Sequence, residues 1–380
     1  MTDTKNREKK KKVAVLGATG SIGKNALDVL RRNSGFFEPV LFSSNTDRLG
    51  LAALSREFPG AKTVLTGTDR AEGVDYSGRA GLLRAIAECG GHIALNGIAG
   101  SAGLDPSLAV IEAGMDLALA NKETIVMAAS LVFAAAGRRG VKIIPVDSEH
   151  SAVFTLAEAH GREYIEEIML TASGGPFRQY PIDRLKAVTA QEALAHPTWR
   201  MGAKITVDSA TLANKGLEVI EAARLFALPP ERIKAVIHPQ SVVHSMVRCR
   251  DGAVYAQMSR PDMRLPIQSA LFYPDRACAA FEELSFDALT LEFSRPDEER
   301  FPMLALAYKA LRAGELYPAA YNAANEFAVA AFLSGRIGFF DISGITGAVL
   351  DRDWSGSADL ETVWETHRLA ARFAETVCRF

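Results

Sequence analysis

Val13-Ala-Val-Leu16 is a short apolar run. Gly17-Ala-Thr-Gly20-Ser-Ile-Gly23 follows at once, and Lys24–Arg32 reads as a helix. No other stretch limits the fold so tightly. A buried strand, a glycine-rich turn and a helix form the opening unit of a dinucleotide fold. The glycines let the backbone approach a pyrophosphate, which rests on the helix N-terminus. The spacing is G-x-x-G-x-x-G rather than G-x-G-x-x-G, so the strand-turn-helix context carries the reading.

The alternation continues beyond this unit. Strands are expected at 39–42, 62–65, 92–95, 116–119 and 141–144, and helices at 78–88, 106–112 and 124–136. This rhythm predicts a parallel sheet covered on both faces. The second strand ends in Ser43-Ser44-Asn45. An acidic residue there would take the ribose 2′-OH of NAD, and a basic one the phosphate of NADP. Asn45 is compatible with both, and Arg48 lies within one helical turn. Asn96-Gly97 and Asn121-Lys122-Glu123 follow strands and so fall at the carboxyl edge, where such sheets bind ligands. Lys122 opens a helix, a place that disfavours cations. A bound anion or a carboxylate would explain it, as would chance at the surface.

A chain of 380 residues exceeds one ordinary core, so two or three domains are expected. A net charge of −2 favours neither nucleic acid nor an acidic membrane as partner. The one basic run, Lys5–Lys12, reads as a disordered arm. No signal peptide is visible, and the longest apolar stretch, 124–137, is too short to span a bilayer. The cysteines at 89, 249, 278 and 378 lack metal or disulfide spacing and fit a reducing cytosol.

After the 141–144 strand the chain reads Pro145-Val-Asp-Ser-Glu-His150. If the strand runs on through the tip, Asp147 and Glu149 point to one side and repel, unless a metal, a shared proton or a cation intervenes. A second strand, 165–170, leads to Ser173-Gly174-Gly175, a small turn with free N–H groups suited to an anion. The irregular segment His196-Pro-Thr-Trp-Arg-Met-Gly202 has the look of a lid, or of packing under a loop. A long helix is expected over 212–228. On it Asn214, Lys215 and Glu218 share a face, as a surface ion pair or as part of a site. In the second case Glu218 completes an oxygen-rich metal site with Asp147 and Glu149, suited to Mg²⁺ or Mn²⁺. Ser209, Asn214 and Lys215 would then form a phosphate pocket beside it. The strands 235–247 and 253–258 flank Arg250-Asp251-Gly252 as a hairpin, a natural dimer surface. His238 and His244 are candidate ligands, with a structural role the favoured reading. Pro261-Asp262-Met263 starts a helix, with Met263 as a cover for the pocket. Helices at 303–313, 319–333, 342–350 and 360–378 make a small bundle.

Taken together, Gly17–Gly23, Ala120-Asn-Lys-Glu123, Pro145–His150, Ser173-Gly-Gly-Pro-Phe177, His196–Gly202, Asp208-Ser-Ala-Thr211, Asn214-Lys-Gly-Leu-Glu218 and His238-Pro-Gln-Ser241 resemble the 1-deoxy-D-xylulose 5-phosphate reductoisomerase family, in the family's order and over nearly the whole length. The resemblance implies an α/β protein with four parts. These are an N-terminal Rossmann-like NADPH-binding domain (1–147), a central α+β catalytic, metal-binding and dimerisation domain (148–286), a connector (287–300) and a C-terminal helical bundle (301–380). It implies a cytoplasmic homodimer that uses NADPH and Mn²⁺ or Mg²⁺, with Co²⁺ as an alternative, on a phosphorylated sugar. Asp147, Glu149 and Glu218 look like the metal ligands. Ser148, Glu149, Ser173, His196, Ser209, Asn214 and Lys215 look like substrate contacts, with Trp199, Met201 and Met263 over them. Lys122 resembles the lysine at the reacting end, and His196 stands with the catalytic set. Thr19, Gly20, Ser21, Ile22, Ser44, Asn45, Asn121, Glu123 and Gly202 match cofactor contacts. The family has a basic residue just before Asn45, and this chain has Ser44. The rival reading is a related metal-dependent NAD(P) reductase acting on another phosphorylated sugar.

Overall fold

The computed structural model describes residues 10–277 and 281–378. In chain order the first elements are β1 (Lys11–Leu16), α1 (Ser21–Arg32), β2 (Phe37–Ser44), α2 (Arg48–Glu57), β3 (Lys62–Leu65), β4 (Tyr76–Ser77), α3 (Gly78–Glu88), β5 (Ile93–Asn96), α4 (Leu104–Glu112), β6 (Asp116–Leu119), α5 (Lys122–Arg139) and β7 (Ile143–Pro145). The middle of the chain holds α6 (Ser148–His160), β8 (Ile165–Ala172), α7 (Ile182–Leu185), α8 (Ala190–Ala193), α9 (Ala203–Thr211), α10 (Ala213–Leu225), β9 (Ile233–Ile237), β10 (Val243–Cys249) and β11 (Val254–Met258). Five helices complete it: α11 (Arg264–Phe272), α12 (Met303–Ala313), α13 (Tyr317–Leu333), α14 (Phe339–Leu350) and α15 (Leu360–Val377).

These elements divide between two compact units. The first holds the chain up to Asn121, with 135–146 and 263–281; the second holds 122–134, 147–262 and 282–380.

The first unit is built on a seven-stranded sheet of order β4-β3-β2-β1-β5-β6-β7, parallel throughout. Val13, Ala14, Val15 and Leu16 are fully buried, as a strand covered on both faces requires. The strand order reverses between β1 and β5, so the glycine turn after β1 and Asn96-Gly97 after β5 meet at the switch point. Gly23 is obligatory there, because a Cβ would collide with the carbonyl of Gly17. Lys11 and Lys12 begin β1 rather than ending a disordered arm; residues 5–9 of that run lie outside the described residues. The helix α2 had no counterpart in the expected pattern.

The second unit carries a four-stranded sheet, β11-β10-β8-β9, in which β8 pairs parallel with β9 and antiparallel with β10. The expected 235–247 strand is broken. Pro239 lacks a ladder N–H, and Ser241 takes a φ of 52°, so β9 and β10 run on either side of β8. The long helix expected at 212–228 starts one residue later. Leu212, at φ 62°, separates it from α9. Helices α12–α15 form the expected bundle. Its core includes Tyr321, fully buried, whose hydroxyl donates to the Met303 carbonyl at 3.1 Å. Among the described residues no helix is long and apolar enough to cross a membrane.

Candidate active site

Pro145 ends β7, and Asp147 does not continue the strand. It caps α6, its carboxylate accepting from the backbone N–H of Glu149 at 3.1 Å and of His150 at 3.3 Å. Asp147 and Glu149 therefore converge through a helix N-terminus and not through strand alternation. One oxygen each from Asp147, Glu149 and Glu218 lies within 4.8 Å of the others. Glu218 reaches them from the second turn of α10, four residues after Asn214, which donates to it at 2.6 Å.

Two lysines neutralise part of this charge. Lys122 is 4% exposed and donates to Asp147 at 3.0 Å, Glu218 at 3.0 Å and Asn214 Oδ1 at 2.8 Å. A carboxylate partner is thus what holds a cation at the start of α5. Lys215 donates to the other oxygen of Glu218. Burial alone would lower Lys122, but Asp147, Glu218 and Glu221 raise it well above the ordinary lysine value. Burial likewise would raise Asp147, yet Lys122, His150 and Lys215 hold it well below the carboxylate range. Glu149 is left over. Burial, with the charges of Glu218 and Asp147, pushes it up to about 8 against the pull of Lys215 and of the Ser148 hydroxyl, which donates to it at 2.7 Å.

A largely buried set of oxygen donors in which one carboxyl resists ionisation calls for more positive charge than two lysines bring. A hard divalent cation such as Mg²⁺ fits that donor set, and soft-metal ligands are absent from the cluster.

Behind the cluster stand two residues that sequence reasoning did not assign. His150 is fully buried; its Nδ1–H donates to Asp147 at 3.0 Å and its Nε2–H to the Glu218 carbonyl at 3.0 Å. Glu221 lies 3.3 Å from the same Nδ1. Burial pushes Glu221 up to about 7, and His150 rises to about 9 because Glu221 and Asp147 outweigh its burial. A signal existed: His150 falls three residues after Asp147, and Glu221 three after Glu218, each on the same helix face.

Among the candidate phosphate contacts, Ser173 and His196 meet directly. His196 Nδ1 accepts from the N–H groups of Thr198 at 3.1 Å and Trp199 at 2.9 Å, so its proton sits on Nε2 and is donated to Ser173 Oγ at 3.2 Å. Burial lowers the His196 pKa and favours this neutral form. Gly175 holds φ +68°, and a Cβ there would lie 2.6 Å from the Ser209 carbonyl, so the Ser173–Gly175 turn packs directly on α9. Trp199 and Met201 lie in an irregular segment, with the Trp199 ring 6.3 Å from that of buried His244. Burial pushes His244 down to about 4. His238 is structural: its Nδ1 donates to the Glu292 carbonyl at 2.9 Å.

A second buried ion cluster was also missed. Lys204 on α9 donates to Glu123 at 3.0 Å and Asp208 at 2.9 Å, and Asn325 of α13 donates to Asp208 at 2.8 Å. Asn325 therefore ties the bundle to α9. Gly202 is the N-cap of α9.

In the first unit, Thr19 and Ser44 hydroxyls share a hydrogen bond of 2.7 Å, and the Gly17 N–H donates to Ser43 Oγ at 3.0 Å. Gly20, Ser21 and Ile22 form the start of α1. Asn45 follows β2 and is exposed, and its side-chain oxygen accepts from Thr66 at 3.4 Å. Asn121 donates to the carbonyls of Ile98 at 2.7 Å and Gly100 at 2.8 Å. Met263 is the N-cap of α11.

A parallel dinucleotide-type sheet and a largely buried all-oxygen acid cluster in one chain define a metal-dependent nicotinamide enzyme. Family models for the 1-deoxy-D-xylulose 5-phosphate reductoisomerase match residues 13–129, with its C-terminal domain models matching 143–226 and 258–373. The reductoisomerase of Treponema denticola is 48% identical over 347 residues, covering 91% of each chain, and that of Chlorobaculum tepidum is 49% identical over 345 residues, covering 88% of this chain and 90% of its own. The Zymomonas mobilis reductoisomerase solved with NADPH aligns with a TM-score of 0.89 at 39% identity, over 97% of this chain and 99% of that one. A reductoisomerase solved with NADPH, fosmidomycin and magnesium aligns at 0.91 and 36% identity, over 97% and 98%. The chain belongs to the 1-deoxy-D-xylulose 5-phosphate reductoisomerase family.

Proposed function

We propose that this chain converts 1-deoxy-D-xylulose 5-phosphate to 2-C-methyl-D-erythritol 4-phosphate with NADPH and a divalent metal, as an enzyme of isoprenoid biosynthesis. The observation that carries this reading is the meeting of Asp147, Glu149 and Glu218 within 4.8 Å, undercompensated by Lys122 and Lys215. These three carboxylates would hold Mg²⁺ or Mn²⁺. A divalent ion there supplies a Lewis acid that polarises a ketone and lowers the pKa of a neighbouring hydroxyl.

The chain's own groups do the rest. Lys122 sets a fixed positive charge beside the carboxylates, at the reacting end of the substrate. Ser148 orients Glu149. Ser173, His196, Ser209, Asn214 and Lys215 supply hydroxyl, imidazole, amide and ammonium donors to the sugar phosphate. Trp199, in the irregular lid segment, closes over the substrate and excludes water, so that an aldehyde intermediate is reduced before it escapes. Thr19, Gly20, Ser21, Ile22, Ser44, Asn45, Asn121, Glu123 and Gly202 are the NADPH contacts. The functional division runs 1–147 for cofactor, 148–286 for chemistry and pairing, 287–300 as connector and 301–380 as bundle. The free edge of β11 supports a homodimer formed through the hairpin, and the lack of a spanning helix among the described residues is compatible with the cytoplasm we assign.

The test is direct. Purified protein with Mg²⁺ or Mn²⁺ should consume NADPH only when 1-deoxy-D-xylulose 5-phosphate is present, with the methylerythritol phosphate as product. A folded, metal-loaded sample without such turnover rejects the reading.

A further inference from the structure

In a dinucleotide fold the adenosine ribose lies at the end of the second strand, and a cation there receives the 2′-phosphate that distinguishes NADPH from NADH. In this chain the strand end offers no lysine or arginine. Ser43 and Ser44 are buried, and their hydroxyls are already engaged with the Gly17 N–H and with Thr19. Asn45 is uncharged. The nearest carboxylate, Asp47, is occupied as the cap of α2, accepting from the Gly50 N–H at 2.8 Å.

Arg48 opens α2, four residues after the last residue of β2. It is exposed, and its side chain has no hydrogen-bond, ion-pair or ring partner among the described residues. Its guanidinium turns toward the segment after β3: Nη2 lies 3.7 Å from where a Cβ on Gly73 would stand. That segment is anchored to the end of β2, since the Gly67 N–H donates to the Asn45 carbonyl at 2.8 Å and Thr66 to the Asn45 side chain. The first turn of α2 also abuts the glycine turn, because a Cβ on Gly50 would meet the Thr19 methyl at 2.8 Å. A side chain without partners thus extends from the helix whose first turn abuts Thr19, just beyond the end of β2.

We infer that Arg48 is the specificity-determining residue that receives the 2′-phosphate of NADPH, through its forked N–H donors, in place of a basic residue at the strand end. A guanidinium suits this task because it stays charged and pairs bidentately with phosphate oxygens. The inference rests on the reading of the chain as an NADPH enzyme and names which side chain selects that cofactor.

The experiment compares NADPH and NADH binding by nicotinamide fluorescence titration for the intact protein, Arg48→Gln and Arg48→Lys, with Arg70→Gln as control. Arg48→Gln should weaken NADPH roughly tenfold or more, the loss of one charged hydrogen-bonded pair, and leave NADH unchanged. Arg48→Lys should recover part of the loss. Arg48 is exposed and unpartnered, so these variants fold. Wild-type preference for NADPH that survives Arg48→Gln, or falls instead with Arg70→Gln, overturns the assignment. A wild-type protein that binds neither nucleotide overturns the enzyme reading, and the binding readout separates that result from failure at Arg48.

Discussion

The second unit holds two clusters of lysines and carboxylates, and they differ in how closely the acids crowd one another. Around Lys204, Glu123 and Asp208 each meet the ammonium within about a normal hydrogen-bond length, and Asn325 donates to a further oxygen of Asp208. Burial alone would lower Lys204, but Asp208 and Glu123 raise it. Around Asp147, Glu149 and Glu218 the same ingredients leave Glu149 pushed up to about 8 and Glu221 up to about 7. The first cluster braces α5, α9 and α13 against one another. The second keeps three carboxyl groups within 4.8 Å of one another, a state that persists only where the surrounding fold enforces it and that the proposed metal site requires.

The largest break in this contrast should come from Glu218→Gln. It keeps shape and hydrogen bonding to Asn214 but removes one charge from the cluster. Metal-dependent turnover should fall by more than about 100-fold, the range reached when even an outer partner of a metal ligand is lost. NADPH affinity should stay within about twofold of wild type. Steady-state rates across a Mg²⁺ titration, with nucleotide binding measured alongside, check both parts. Unchanged activity would remove Glu218 from the site.

The next test sets the lysines against each other. Lys204→Met leaves Glu123 and Asp208 buried without their cation, which should destabilise the protein by about 3–5 kcal/mol. Lys122→Met uncovers Asp147 and Glu218 by a similar amount in metal-free protein. Added Mg²⁺ should restore most of the lost melting temperature for Lys122→Met, because a ligand that binds only the folded state stabilises it. It should do little for Lys204→Met. Equal rescue of both, or of neither, would erase the distinction between brace and site.

How much of this was legible in the residues depended on range. The strands at 62–65 and 116–119 and the helix at 78–88 fall where the apolar runs placed them, because a sheet covered on both faces leaves continuous hydrophobic stretches. Asp147 and Glu149 were paired correctly for the wrong local reason. The short run before Pro145 looked like a strand continuing to the tip, yet Asp147 is a helix cap, and Ser148–His160 shows no clean amphipathic stripe because its buried face includes His150 and Ser151. The break at Leu212 carries no glycine or asparagine to announce a left-handed residue. His150 with Glu221, and Lys204 with Glu123, are partners 71 and 81 residues apart. Such pairs are set by tertiary structure alone, so one sequence cannot display them.

His244 sharpens the comparison from a different side, as a buried group that should carry no charge at all. Its folded pKa is depressed from 6.5 to about 4 by burial, so the unfolded chain binds the proton more readily between those values. Its contribution to stability is therefore fully present above pH 6.5 and is lost as pH falls toward 4, on the order of 3 kcal/mol at the acid end. His244→Asn should flatten that acid limb in melting curves recorded across the window. A limb of unchanged slope would place the acid sensitivity elsewhere.

The smallest effect is expected where neither cluster's burial applies. Arg31 and Glu57 pair at 2.6 Å through two parallel hydrogen bonds, better geometry than any lysine contact above, but the side chains are 46% and 40% exposed. Water screens the pair, and its charges gain little over their hydrated state. Arg31→Gln should change stability by no more than about 0.5–1 kcal/mol, and raising the salt concentration should shrink even that. The Lys204 effect should persist in high salt, because its partners lie inside the protein. If denaturation midpoints showed Arg31→Gln as costly as Lys204→Met, pairing geometry would govern these clusters, and burial would lose its place as the property that separates brace, site and surface.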